Sequence, residues 1–283
     1  MVMIFALTAA VLYGSADFLG GTASRRVSAI SVLQVAKAGA LAVSLAAAVA
    51  SGEVIRSAGL SWGAAAGVIG GVGMIVFYAG LAAGPMVVVA PVSAVTSTVV
   101  PVAAALVMGE RLTPSMYAGA VLCLAAVAVI SVGPSPGGQQ SGGGRAVLGL
   151  AYGLASGIAF GLFLLLIRNG GESGTLWPVA AAQAGGALVA LLAGAIARAR
   201  PVTPAAGRLT YVAALGAGVI DSTGNLCYLL ATQAGLFGLA VVLSSLYPAV
   251  TVLLARFVLG ERMRRAQGAG LVLAVLGIML VTR

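Results

Sequence analysis

Residues 92–111 read VSAVTSTVVPVAAALVMGER, and residues 243–262 read LSSLYPAVTVLLARFVLGER. Each stretch is an apolar run with hydroxyl side chains near its start and Gly-Glu-Arg at its end, and the two lie 151 positions apart. Self-similarity at a fixed offset is typical of a chain built from copies of one structural unit. The sequence therefore predicts two related halves.

The composition excludes a water-soluble globular fold. Of the 283 residues, 61% are hydrophobic and only 7% are charged, with a mean hydropathy of +1.13, whereas soluble proteins average about 25% charged residues. The apolar runs are too long for the strands of a membrane barrel, which leaves helices as the structure that lipid permits. We therefore expect an all-α, polytopic protein that is integral to the cell membrane or inner membrane.

The apolar segments predict about ten transmembrane helices in two sets of five. The expected spans are 2–22, 28–50, 60–82, 86–108, 114–133, 146–167, 174–196, 209–233, 237–259 and 266–282. They predict a first five-helix repeat at 1–133, a Gly/Ser/Pro linker at 134–145 and a second five-helix repeat at 146–283. Because five is odd, the second repeat must enter the membrane from the opposite side. This inverted repeat is typical of secondary transporters.

The residue types argue against an enzyme. The chain has no histidine, and Cys123 and Cys227 show no metal-binding or disulfide spacing. With only six acidic residues, no set of catalytic groups is evident, so we expect no enzyme activity, no cofactor and no metal.

The net charge of +9 comes from arginines that mostly flank apolar segments. Arginines in such positions set the orientation of the helices in the membrane and do not indicate nucleic-acid binding. Their distribution favours termini that face outward.

Three motifs resemble the EamA family of the drug/metabolite transporter superfamily. They are Tyr13-Gly-Ser-Ala-Asp-Phe-Leu-Gly-Gly21, the two Gly-Glu-Arg stretches, and Leu243-Ser-Ser-Leu-Tyr-Pro-Ala-Val250. The resemblance covers essentially the whole chain. It implies ten helices in two inverted repeats, a central cavity, and transport of a small molecule, often export. One departure is that Pro248 occupies the position at which the first half has Ser97, so the halves need not gate symmetrically.

Ionisable residues near the middle of a span are candidates for function because they are costly to place in lipid. Asp17 and Lys37 each lie roughly 12–13 Å below the same surface at 1.5 Å of rise per residue, so the sequence predicts that they pair. Such a pair is either a structural tie between the first two spans or a charge pair at the cavity wall, and exposure of these residues to lipid is the third alternative. Arg256, in contrast, lies close enough to its helix end to reach the interface.

Asp221 lies near the centre of the eighth span, with no cation at a clearly matching depth. A buried carboxylate without a partner can take up a proton. A functional Asp221 would either bind a cationic substrate or carry a coupling proton, and we predict it as the proton-coupling residue. Asn225 and Tyr228 share its helical face. This face either lines a cavity or forms hydrogen bonds between helices. Glu110 and Glu261 are expected at helix ends, as caps or as contacts to the neighbouring arginine.

The fourth and ninth spans carry serines and prolines. Such serines either bond to a backbone or neighbouring helix, or line a substrate path, whereas prolines interrupt helical hydrogen bonding. The predicted substrate-binding residues are Asp17, Lys37, Tyr78, Ser93, Ser97, Asp221, Asn225, Tyr228 and Ser244, and the predicted kink or gating residues are Pro91, Pro101 and Pro248.

Two rows of glycines spaced one helical turn apart predict close packing between helices. They are Gly63, Gly67 and Gly71 in the third span, and Gly149, Gly153, Gly157 and Gly161 in the sixth.

Three functions are compatible with this pattern. The first is a secondary transporter that exports a small metabolite, such as an amino acid or an amphipathic cation, by alternating access, with proton coupling as an option. The second is an uncoupled facilitator or channel, and the third is a membrane scaffold subunit that transports nothing. The expected partners are a small-molecule substrate and the lipid bilayer, without nucleic acid. The oligomeric state stays open, with a monomer as one possibility.

Overall fold

The computed structural model describes residues 1–24, 26–83, 86–131, 143–197, 207–260 and 265–281. These residues form eleven helices and no strand. In chain order they are α1 (Val2–Ser24), α2 (Ala29–Ala50), α3 (Ser57–Ala83), α4 (Met86–Val107), α5 (Pro114–Ser131), α6 (Gly143–Gly171), α7 (Leu176–Ile196), α8 (Arg208–Gln233), α9 (Phe237–Ser244), α10 (Tyr247–Val258) and α11 (Arg265–Val281). Each of the ten expected spans contains a helix, and α9 and α10 share the ninth. The expected linker lies outside the described residues as far as position 142.

Seven helical stretches in the described part of the chain are long and apolar enough to cross a membrane. Two further apolar helices, α5 and α11, have 18 and 17 residues. α8 has 26 residues, but its polar side chains, among them Asp221 and Asn225, make it less apolar than its neighbours. The long apolar helices point to an integral membrane protein, as the composition predicts.

The ninth expected span is divided into two helices. α9 ends at Ser244, and in the tight turn that follows, the Leu246 N–H donates to the carbonyl of Leu243 at 3.3 Å. Pro248 comes just after this turn and has no N–H to donate to the Ser244 carbonyl. A continuous helix would therefore lack a hydrogen bond here. α4, the matching helix in the first half of the sequence, is unbroken.

The predicted glycine rows include positions where helices pack closely. A Cβ added to Gly67 on α3 would overlap the backbone of Ala182 on α7. A Cβ added to Gly157 on α6 would meet the Ser93 carbonyl oxygen on α4 at 2.7 Å. Close packing is therefore confirmed for these two glycines. Both contacts join a helix from the first half of the chain to one from the second.

Two glutamates bind helix N-termini in the opposite half of the chain. Glu53 follows α2 and accepts a hydrogen bond of 2.8 Å from the Leu176 backbone N–H at the start of α7. Glu110 follows α4 and accepts from the Gly238 N–H in α9 at 2.9 and 3.2 Å. A carboxylate at a helix N-terminus satisfies free N–H donors and complements the helix dipole. The expected cap is confirmed for Glu110, whereas Glu261 lies outside the described residues.

Candidate functional site

A network of polar side chains joins helices near the middle of the bundle. Lys37 on α2 forms an ion pair with Asp221 on α8, with Nζ 3.2 Å from Oδ2. The same ammonium donates to Gln183 Oε1 on α7 at 2.9 Å. Gln183 is buried, but the Lys37 and Asp221 side chains are 22% and 33% accessible. The ion pair therefore borders an accessible space.

Asn225 and Tyr13 extend the network to α1. Asn225 lies one turn after Asp221, and its amide nitrogen donates to the Asp221 carbonyl at 2.9 Å and to Oδ2 at 3.4 Å. The Tyr13 hydroxyl donates to Asn225 Oδ1 at 3.1 Å. Each buried polar group of this network therefore has a hydrogen-bond partner, as a stable network requires. Two of the four helices, α1 and α2, come from the first half of the chain, and α7 and α8 come from the second.

The expected pairing of Asp17 with Lys37 is wrong, because Lys37 pairs with Asp221. Depth in the membrane follows from the residue count along a helix. The side on which a residue lies depends also on how that helix rotates against its neighbours. Lys37 faces α7 and α8, and its depth alone did not reveal this direction.

The expectation that Asp221 has no cationic partner is also wrong. Lys37 lies eight residues into the membrane from Ala29, and Asp221 lies thirteen residues from Arg208. That difference is about 7.5 Å along the helix axes. The long, flexible stem of a lysine can carry its ammonium across most of such a distance. The basis for assigning a coupling proton to Asp221, an unpaired carboxylate, is therefore removed.

Asp17 on α1 is exposed, and its carboxylate makes no hydrogen bond or ion pair with any residue that the structure describes. Its electrostatic neighbours are Asp221 on α8, Tyr78 on α3 and Tyr247 on α10. Tyr13, one helical turn earlier, donates to Asn225 on α8 and packs on Tyr247 of α10, which places Asp17 on an inward face of α1, beside the space that the Lys37 ion pair borders. We call this space the central cavity. Among the described residues, its wall holds one ion pair, Lys37–Asp221, and one carboxylate without an ion-pair partner, Asp17.

Tyrosine rings form part of the same wall. Tyr13 lies one helical turn before Asp17, and its ring packs edge to face on that of Tyr247 with centroids 6.4 Å apart. Tyr78, a predicted binding residue, is partly exposed on α3, and its ring lies 6.1 Å from that of Phe77. The cavity wall therefore combines a carboxylate with aromatic surface.

Other predicted binding residues lie within the helix packing. Tyr228 is fully buried, and its hydroxyl donates to the Leu164 carbonyl on α6 at 3.3 Å. Ser97 and Ser244 are buried and donate to carbonyls of their own helices at 2.9 and 2.6 Å. Ser93 is buried and accepts a hydrogen bond of 3.0 Å from Ser156. A direct contact of these four residues with substrate remains a prediction that requires the helices to move.

The three predicted kink residues have different surroundings. Pro248 stands immediately after the break between α9 and α10. Pro101 is buried in the unbroken α4, where it packs near Gly161 of α6. Pro91 also lies in α4, and its side chain is outside the described residues. A role in gating stays a prediction for all three.

Gln183 was not among the predicted site residues. It is a lone amide in the middle of an otherwise apolar span, and that pattern is the signal that could have revealed it, because a buried amide requires a partner.

The described side chains of the network form an ion pair and hydrogen bonds with one another and are not arranged as metal ligands. Among the described residues, no three His, Cys, Asp or Glu side chains are grouped to hold a metal ion.

Comparisons with known proteins agree with this architecture. The model of the EamA-like transporter family matches residues 1–132 and 147–283. No curated protein matches the chain. A solved structure described only as "Crystal structure of protein" has a TM-score of 0.78 and 20% sequence identity, and the match covers 99% of this chain and 96% of that chain. At this identity the similarity shows a shared fold alone.

Proposed function

The chain belongs to the EamA-like transporter family, and from that premise we propose that it is a secondary transporter that exports a small metabolite by alternating access around the central cavity. The family consists of membrane transporters of the drug/metabolite transporter type. Substrate, direction and mechanism are the parts that the proposal adds. The proposed location is the cell membrane or inner membrane.

The observation that carries the proposal is the ion pair between Lys37 and Asp221, at 3.2 Å. The pair lies deep in the bundle and joins the two halves of the chain, and both side chains remain partly accessible. Charged groups within membrane-spanning segments are costly, and where they occur they commonly mark the path of an ion or a substrate. A pair that joins two halves across an accessible cavity suits a carrier whose halves move against each other.

An inverted repeat is part of the proposal, and the directions of α2 and α7 support it. The Gln34 amide on α2 donates to the Ala190 carbonyl near the end of α7, at 3.3 Å. Glu53, beyond the end of α2, binds the Leu176 N–H at the start of α7. The two helices therefore run antiparallel. Since they hold the second position in their respective halves, their opposite directions are those of an inverted repeat.

Two features suit the motion that alternating access requires. The break between α9 and α10 gives one helix a point at which it can bend. At the contacts between α3 and α7 and between α4 and α6, Gly67 and Gly157 present no side chain to the facing helix. Smooth contacts of this kind permit one helix to slide against another.

The test is counterflow in proteoliposomes that contain the purified full-length protein. Liposomes are loaded with a mixture of unlabelled amines, amino acids, nucleosides and sugars, and labelled compounds are added outside one at a time. A carrier accumulates its labelled substrate transiently above equilibrium. A channel only equilibrates it, and a scaffold gives no more uptake than protein-free liposomes, so either of these results would reject the proposal. Repeating the assay with an imposed pH gradient determines whether a proton is coupled.

A further inference from the structure

We infer that the central cavity selects a cationic, amine-bearing substrate with an apolar body, and that Asp17 is the residue that binds its ammonium group. This inference rests on the proposed transport function and names its substrate class. It follows from the charge balance of the cavity, from the accessibility of Asp17 and from the aromatic side chains beside it.

The charge balance of the described residues leaves the cavity negative. Lys37 and Asp221 neutralise each other at 3.2 Å. The carboxylate of Asp17 is then left without a cation among the described residues. An isolated carboxylate in a membrane interior is costly, and an opposite charge held against it reduces that cost. A bound cation would supply this charge.

Access and surface chemistry agree with such a ligand. Asp17 is exposed and lies one turn from Tyr13 on the inward face of α1, so that a ligand in the cavity can reach it without disturbing the ion pair. Tyr13, one turn before Asp17, packs against Tyr247, and Tyr78 on α3 lies within electrostatic range of the carboxylate. Aromatic faces attract ammonium groups and also bury apolar surface. The combination favours an amine attached to a hydrocarbon or aromatic body.

The same geometry disfavours anions and zwitterions. A bound carboxylate needs a cationic partner, and the cation that the described residues place at the cavity is Lys37. Its ammonium already donates to Gln183 at 2.9 Å and to Asp221 at 3.2 Å. An anionic ligand would have to displace one of these partners, and it would also face the negative charges of Asp17 and Asp221. An amine without a carboxylate avoids both penalties.

The experiment compares ligands of one shape and different charge. Thermal unfolding of the purified protein in a non-ionic detergent is measured with phenethylamine, phenethyl alcohol, 3-phenylpropionate and phenylalanine, and again with hexylamine, hexanol and hexanoate. We expect the amines to raise the unfolding temperature, while the alcohols, the carboxylates and phenylalanine do not. The alcohols also control for partitioning into detergent. Equal stabilisation by an alcohol or a carboxylate, or no stabilisation by either amine, would overturn the inference.

Two variants locate the binding site. Asp17→Asn is expected to lose the stabilisation by amines, whereas Glu172→Gln, which changes an exposed carboxylate outside the cavity, is expected to keep it. Retention of the amine preference in Asp17→Asn would reject Asp17 as the binding residue. Should Asp17→Asn not fold, as judged by gel filtration, the comparison of ligands on the unaltered protein still decides the substrate class.

The two proposals fail in different ways. Counterflow of a neutral or anionic metabolite, with no binding of either amine, would overturn the inference about the cation and leave the transport function intact. Binding of an amine without counterflow of any compound would overturn the transport function instead.

Discussion

Lys37 and Asp221 lie 184 positions apart in the chain, yet their side chains meet at 3.2 Å between α2 and α8. The contact neutralises two charges that would otherwise each be costly in the membrane. It also ties the first half of the chain to the second. The ion pair therefore has a structural consequence, and the functional role that we propose for it can be separated from that consequence with variants.

Replacement of Lys37 by Met is expected to destabilise the protein by about 1–3 kcal/mol, because it leaves the Asp221 carboxylate without its partner. Loss of one partner from a fully buried pair costs more, about 3–5 kcal/mol, but these side chains are 22% and 33% accessible. The double variant Lys37→Met with Asp221→Asn should recover most of the loss. Unfolding in detergent measures all three proteins.

The matched control for that double variant is Lys37→Met combined with Asp17→Asn. It removes a carboxylate that makes no ion pair with Lys37 and only relieves the repulsion between Asp17 and Asp221, so we expect it to recover less of the lost stability than Asp221→Asn does. A better recovery with Asp17→Asn than with Asp221→Asn would mean that Lys37 pairs with Asp17 instead.

Asp17→Asn is expected to keep or raise the stability, because it removes an unpaired carboxylate that is costly in a membrane interior. Transport in the counterflow assay should nevertheless be abolished, because the binding charge is lost. Glu172→Gln serves as the control and should retain full transport. Normal transport by folded Asp17→Asn would remove Asp17 from the mechanism.

The two glutamate caps predict a local loss of stability. Glu53→Ala and Glu110→Ala should each destabilise the protein by about 1 kcal/mol, as for other helix N-caps. In Glu53→Ala, hydrogen exchange should accelerate at the Leu176 amide, which Glu53 binds at 2.8 Å. Glu172→Ala is the control, because its contact with Arg168 is a surface ion pair at 4.0 Å, and such pairs contribute little. Equal losses in all three variants would argue against specific capping.

The positions of the helices could be predicted from the sequence, whereas the partners of their polar side chains could not. An apolar run of about 20 residues must form a helix in lipid whatever surrounds it, and each of the ten expected spans contains one. The partner of Lys37, however, depends on the rotation and tilt of α2 against α7 and α8. These follow from contacts such as that between Gly39 and Leu215, which are spread over the whole chain.

The break in the ninth span could be predicted from the sequence only in part. Pro248 marks a point where one backbone hydrogen bond must be missing, and the sequence alone gives that information. Pro101 removes a hydrogen bond in the same way, yet α4 continues through it. Whether a helix bends or breaks at a proline depends on the packing around it, as the contact of Pro101 with Gly161 illustrates.

Gly67→Ala is expected to prevent correct packing of α3 on α7, because its Cβ would overlap the backbone of Ala182 and a backbone carbonyl cannot move aside as a side chain can. We expect a loss of several kcal/mol, beyond the roughly 1–3 kcal/mol that is typical of overpacking, or no folded protein. Gly21→Ala, also in a helix, has open space around its Cβ. It should be neutral or stabilising by up to about 1 kcal/mol, given the higher helix propensity of alanine. Similar unfolding temperatures for the two variants would contradict the close contact.

Pro248→Ala tests whether the protein uses the break between α9 and α10. The alanine supplies the N–H that proline lacks, so the Ser244 carbonyl gains a possible donor and a continuous helix becomes more favourable. If bending at this point is part of the transport cycle, the rate of counterflow should fall by at least about tenfold, equivalent to about 1.4 kcal/mol in activation free energy, without loss of stability. Pro101→Ala, in the unbroken α4, should change the rate much less. An unchanged rate in Pro248→Ala would show that the break is a fixed feature of the cavity wall, and the hinge would then have to be sought in the contacts between the two halves.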